Sequence, residues 1–160
     1  MGCSEDFPSK QKMDPCKEGP SPTLTVGHGE HDFMPLLGID TRVELIHGPQ
    51  GGFHTNIALQ AQYIDPTSSY RLLLEGTVGG DSLGYTVPLV EFDCVEDGTR
   101  LESTGSFLIW DAQPEQLHGE SAAITATLID PHRLGKDGSI DGLELASNSV
   151  QYIIWDPRLE

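Results

Sequence analysis

Ser82 lies in Gly80-Asp81-Ser82-Leu83-Gly84, the G-x-S-x-G spacing at which a serine hydroxyl can be presented as a nucleophile. That chemistry needs a sharp strand-to-helix turn, which exposes the hydroxyl and aims backbone N–H groups at a developing oxyanion. The residues that follow Gly84 read YTVPLVEFDC, rich in β-branched and aromatic side chains and suited to a strand. With no helix to follow, the elbow is not expected.

The same stretch spells Gly-Asp-Ser-Leu, the block that names a hydrolase family. Its members also carry a Gly-x-Asn-Asp block and a late Asp-x-x-His. The only Asn residues here are Asn56 and Asn148, and no His has an Asp three positions before it. Ser82 is therefore expected to be a turn residue between two strands. No catalytic residue is assigned, and the protein is expected not to be an enzyme.

Metal chemistry is the next candidate. His28 and His31 stand three apart in GHGEHD, and His47 and His54 bracket a Gly-rich turn, so four imidazoles near two loops could bind copper or zinc. Strand parity opposes the simplest version. Val43 and Leu45 take the inward positions, which puts His47 inward, whereas His54 belongs with the outward Asn56, Gln60 and Gln62. A bulge at Gly51-Gly52 or a crossover between sheets would be needed to bring them together. The competing expectation is histidines that are solvated or packed in loops.

RLGKDGSIDGLE matches a calcium loop at Asp137, Gly138, Ile140, Asp141 and Glu144, but places Arg133 and Gly135 where the first carboxylate ligands belong. An acidic turn is expected there. Glu91, Asp93, Glu96 and Asp97 offer no defensible glycosidase pair, because such pairs require a set separation across a cleft.

The elements that must position these residues are strands. From Leu24 onward apolar side chains recur with a period of two. Phe53, Thr55, Ile57, Leu59, Ala61 and Tyr63 share one face of FHTNIALQAQY, and His54, Asn56, Ala58, Gln60 and Gln62 share the other. Ala122, Ile124, Ala126 and Leu128 alternate likewise, as do Val150, Tyr152 and Ile154. Asp65-Pro66, Asp130-Pro131 and Asp156-Pro157 each close an apolar run by removing a donor. Seven to nine short strands predict an all-β fold, an Ig-like two-sheet antiparallel β-sandwich over residues 22–157.

The bulk properties fit one such domain. The chain has 160 residues, 37% of them hydrophobic and 7% aromatic, enough for a single modest core. No apolar run reaches the ~18 residues of a membrane span. A net charge of -16 excludes the clustered Lys and Arg that nucleic-acid binding needs. The three cysteines, Cys3, Cys16 and Cys94, leave one over in an oxidising compartment. Modification of Cys3 with a Cys16–Cys94 disulfide resolves the count and would stabilise the fold by roughly 4–5 kcal/mol. Three free thiols in a cytosolic protein are the alternative.

Residues 1–21 are polar and contain Pro8, Pro15 and Pro20, so a flexible N-terminal tether spanning roughly 20–25 Å is expected. Gly2-Cys3 ahead of this stretch resembles the start of a mature bacterial lipoprotein, whose upstream signal is removed and whose Cys is diacylated. The resemblance implies lipid attachment at Cys3, and Ser4 implies outer-membrane sorting. N-myristoylation at Gly2 is the rival, although Asp6 stands where Ser or Thr is expected; an unanchored end is the third choice. HGPQGGFH between strands resembles a hairpin of uncharacterised bacterial envelope lipoproteins, best over residues 43–63, which brings no established activity. The resulting expectation is a non-catalytic binding or structural module of the cell envelope, meeting an envelope or extracellular protein or a glycan. A copper- or zinc-binding envelope protein using His28, His31, His47 and His54 is the alternative.

Overall fold

A computed structural model describes Gly2 and residues 12–160. Cys3, the expected lipid-attachment residue, lies outside the described residues. The strands are β1 (Thr23–Gly27), β2 (Arg42–Glu44), β3 (Ile46–His47), β4 (Phe53–Gln62), β5 (Tyr70–Val78), β6 (Asp81–Thr86), β7 (Leu89–Val90), β8 (Asp93–Cys94), β9 (Leu101–Trp110), β10 (Ser121–Asp130) and β11 (Leu143–Trp155). A one-turn helix, α1 (Pro114–Leu117), precedes β10, and a 3-10 turn (Pro157–Leu159) follows β11.

Alternation produces the core, and the fold is all-β. Ala122, Ile124, Ala126 and Leu128 on β10 are fully buried, as are Ile57 and Leu59 on β4 and Leu72 and Leu74 on β5. Along residues 53–63 two positions depart from strict parity. Ala58 is buried although it faces outward; it pairs with Gly27, over which the Phe33 ring lies, so the 28–41 loop roofs this spot. Tyr63 leaves the strand line with φ 62° and turns the chain into a corner. A buried polar triad crosses the core: Trp110 Nε1 donates to Thr55 Oγ1 at 3.1 Å, and the Thr55 and Tyr152 hydroxyls share a hydrogen bond of 2.6 Å.

The strands form one curled sheet in the order β1-β4-β9-β6-β5-β10-β11-β2, a half-barrel with continuous hydrogen bonding, in place of two separate sheets. Two thin joins account for the difference. β6 meets β9 at the single pair Gly84–Trp110. Residues 42–47 pair first with β11 through β2 and then with β4 through β3, stitching one end of the curl. At the other end β1 and β11 approach without forming a ladder, and the Asn148 side chain accepts from Val26 N across the gap at 2.9 Å.

The chain ahead of β1 packs on this open end. Cys16 is buried and joined to Cys94 by a disulfide. Tyr63 N donates to Pro15 O at 2.8 Å, and Gly19 N donates to Tyr63 O at 3.0 Å.

Candidate functional site

The open end holds a cavity of about 700 Å³. Four pieces of chain surround it: residues 18–22, the corner from Tyr63 to Tyr70, the turn after β10, and the start of β11. Each piece is set by local chemistry. Tyr63 holds the left-handed backbone that costs a non-Gly residue about 1 kcal/mol, and its two backbone hydrogen bonds to residues 15 and 19 stabilise that shape. Asp65 then accepts from Thr67 N at 2.9 Å, Thr67 Oγ1 at 2.7 Å and Ser68 Oγ at 3.0 Å. The Thr67 and Ser68 donors hold its carboxyl below the usual range. Tyr70 is buried and donates its hydroxyl to Asp65 O at 2.7 Å; burial pushes its pKa up, so it remains a neutral donor.

Charges of both signs line this cavity. Glu18, Asp65, Asp130 and Glu144 face Arg133 and Lys136, beside the apolar Ile64, Leu143 and Leu145. Arg133 bonds Glu18 at 2.8 Å, bridging residues 115 apart in sequence. Lys136 enters no ion pair among the described residues. The cavity offers hydrogen-bond donors and acceptors beside apolar side chains.

The stitched end carries a second polar cluster. Asp156 is fully buried; its Oδ2 lies 2.7 Å from His47 Nε2, its Oδ1 accepts from Arg158 N at 2.9 Å, and its own N–H donates to His118 Nδ1 at 3.0 Å. Burial alone would raise the Asp156 pKa, but the Arg158 N–H, the His47 hydrogen bond and the nearby positive charges outweigh it and hold the carboxyl low. His118 packs at a tilt on Trp155, ring centroids 4.3 Å apart, and the Arg42 guanidinium also lies over the Trp155 ring at 4.0 Å. These contacts fasten the 3-10 turn over the core.

The remaining histidines are dispersed. His47 lies opposite Phe53 and His54 opposite Ile46, so the two imidazoles leave the β3–β4 pair on opposite faces. His54 packs on Phe107 at 4.8 Å; burial lowers its pKa, opposed by Glu30. His28 forms an isolated bridge with Met34, and burial lowers its pKa. His31 is exposed beside Glu30 at 3.8 Å. Among the described residues no three His, Cys, Asp or Glu side chains are grouped to hold a metal.

Ser82 is not in a turn. The β5–β6 hairpin turns at Gly79-Gly80, both with positive φ, and Ser82 is an exposed β6 residue opposite Thr77. In the calcium-like loop, Asp137 accepts from Ser139 N at 2.9 Å and serves as a turn residue.

Sequence reasoning missed the cavity and the Asp156 cluster, although a signal for both was present. Each of the three Asp-Pro closures is an Asx turn: the carboxylates of Asp65, Asp130 and Asp156 accept from the N–H two residues on. Two of them line the cavity and the third closes the opposite end.

No protein-family model matches this chain, and no curated protein matches it.

Proposed function

We propose that this protein is a non-catalytic ligand-binding module of the bacterial cell envelope, lipid-anchored at Cys3, with the open-end cavity as its ligand seat. The observation that carries the reading is the cavity itself. Its volume of about 700 Å³ falls in the range of roughly 300–1,000 Å³ typical of small-molecule sites. Four carboxylates against two cations disfavour a polyanion. Mixed donors and acceptors beside the Tyr63 ring suit a polar, uncharged ligand such as a fragment of an envelope glycan. Support for the non-catalytic reading comes from Ser82, which makes no side-chain hydrogen bond among the described residues and stands on a strand.

The finer reading of the architecture is an Ig-like sandwich whose two layers are fused at their edges. The single Gly84–Trp110 pair and the short stitch at residues 42–47 support it.

Titration of the ¹⁵N-labelled protein with soluble peptidoglycan oligosaccharides tests the ligand seat. Amide shifts confined to Gly19, Tyr63, Ser68, Arg133 and Lys136, lost in Tyr63→Ala, are expected; shifts elsewhere or none at all would remove it. The anchor is tested separately: detergent-phase partitioning of the native product should disappear on Cys3→Ala, and aqueous partitioning of the unaltered native product would refute it.

A further inference from the structure

We infer that the outer face of β6, β7 and β9 is a docking surface for a short extended segment of a partner protein that alternates basic and apolar residues. This surface is distinct from the cavity and does not depend on its occupancy.

Tyr85, Val87 and Leu89 follow one another on the outward side of β6 and β7, and Phe107 and Ile109 do the same on β9. Their neighbours Gly84, Val90, Leu108 and Trp110 point inward. Water-facing positions of a half-buried strand are normally polar, yet here three in succession on one row and two on the next are large and apolar, with Tyr85 63% and Leu89 69% exposed. The two rows are neighbours: Gly84 pairs with Trp110, and Ile109 N donates to Thr86 Oγ1 at 2.9 Å.

Below that join the strands diverge, leaving a groove of about 430 Å³ with Leu89 on one lip and Phe107 on the other. Its walls are strand edges. Among the described residues β7 pairs only with β5, and β9 has no ladder partner on this side between Ser103 and Ile109. Unpaired edges recruit extended chain, which contributes main-chain hydrogen bonds while side chains select the partner. Pro88 and the bulge at Gly105 (φ 84°) limit the added strand to a few residues. Contacts with Leu89 and Phe107 therefore have to supply much of the affinity.

Charge decides the occupant. Glu91 lines the groove and accepts from Ser69 Oγ at 3.0 Å; Glu75 lies opposite Tyr85, and the exposed Asp111 follows Trp110. Among the described residues the one cation paired to this face is Arg71, opposite Leu89, and its guanidinium reaches to Asp141 O at 3.5 Å. On a chain of net charge -16, a second copy or an anionic lipid surface would meet like charge, whereas Lys and Arg on a partner segment would be drawn in.

The test uses the full chain and the peptide acetyl-(Lys-Val)₃-amide, with acetyl-(Glu-Val)₃-amide as its counterpart. The basic peptide should shift the amides of residues 86–91 and 103–109, and the acidic peptide should not bind. Leu89→Ser with Phe107→Ser keeps the net charge and should weaken the basic peptide at least tenfold. Leu89 is largely exposed and Phe107 is partly covered by His54, so the melting temperature should fall by a few degrees at most. Should this variant be unstable, Glu91→Gln alone must still weaken binding severalfold. Equal affinity of the Ser variant, shifts centred elsewhere, tight binding of the acidic peptide, or a dimer abolished by Leu89→Ser would each overturn the proposal.

Discussion

Thr55 is the one hydroxyl that both Trp110 and Tyr152 depend on inside the core. Thr55→Val keeps the shape but strands two buried polar groups, each costing about 1–3 kcal/mol. Urea unfolding should show a loss of about 2–3 kcal/mol with an unchanged m-value, whereas Thr55→Ser should lose about 1 kcal/mol for its missing methyl. A loss of equal size in both variants would mean that packing matters there and the hydroxyl does not. Asp156 gives the residue scale a pH signature. Its folded pKa lies below its ordinary 3.8, so the unfolded chain takes up the proton first as pH falls. The stabilisation is therefore complete well above pH 3.8 and is lost as pH drops through the lower, folded value. Asp156→Asn should cost about 2–3 kcal/mol at pH 6, from hydrogen bonds to a charged group, and this deficit should shrink as pH falls below 3.8. Unfolding curves at pH 6 and through the acid range measure it; a constant deficit would assign the effect to geometry instead of charge.

At the scale of elements, period-two alternation made β4, β10 and the C-terminal half of β11 legible, because burial on one face dictates every second side chain. It could not reveal which strands become neighbours. The stitch through residues 42–47 depends on pairing with positions more than 100 residues later, and no local pattern encodes that. His47 illustrates the limit: its inward parity could be read, but its partner Asp156 lies 109 residues away. The join between β6 and β9 depends on glycine in a way that composition also hid. Trp110 lies across Gly76 on β5 and Gly84 on β6; a Cβ on Gly76 would come within 2.5 Å of the indole, and one on Gly84 within 3.1 Å. Neither position has a left-handed backbone, so the constraint is space alone. Gly76→Ala should displace the indole, cost about 1–3 kcal/mol and alter the near-UV dichroism of Trp110, with Gly84→Ala milder. Identical melting curves for both variants and the parent would show that the ring has room to move.

Across the whole molecule, the two ends are held by different means, which makes them separable by experiment. The stitched end relies on ladder hydrogen bonds and the buried Asp156 cluster, none of which responds to thiols. At the open end, residues 18–22 form a wall of the cavity, and the segment that carries them depends on Cys16–Cys94, Arg133–Glu18 and the backbone bonds of Tyr63. The disulfide spans 78 residues, and on chain-entropy grounds its removal costs about 4.5 kcal/mol, mostly by freeing the unfolded chain. Global stability must then fall wherever it is probed, but local opening need not. In Cys16→Ser/Cys94→Ser under native conditions, the amides of Gly19 and Tyr63 should exchange far faster, because one end of each hydrogen bond lies on the released segment. Amides at the stitch, Leu45 bonded to Trp155 O and Ile153 bonded to Thr41 O, should accelerate only by the drop in global stability. Hydrogen exchange read residue by residue distinguishes the outcomes: equal acceleration at both ends would mean that the half-barrel opens as one cooperative unit, and that the disulfide guards no part of the cavity wall in particular.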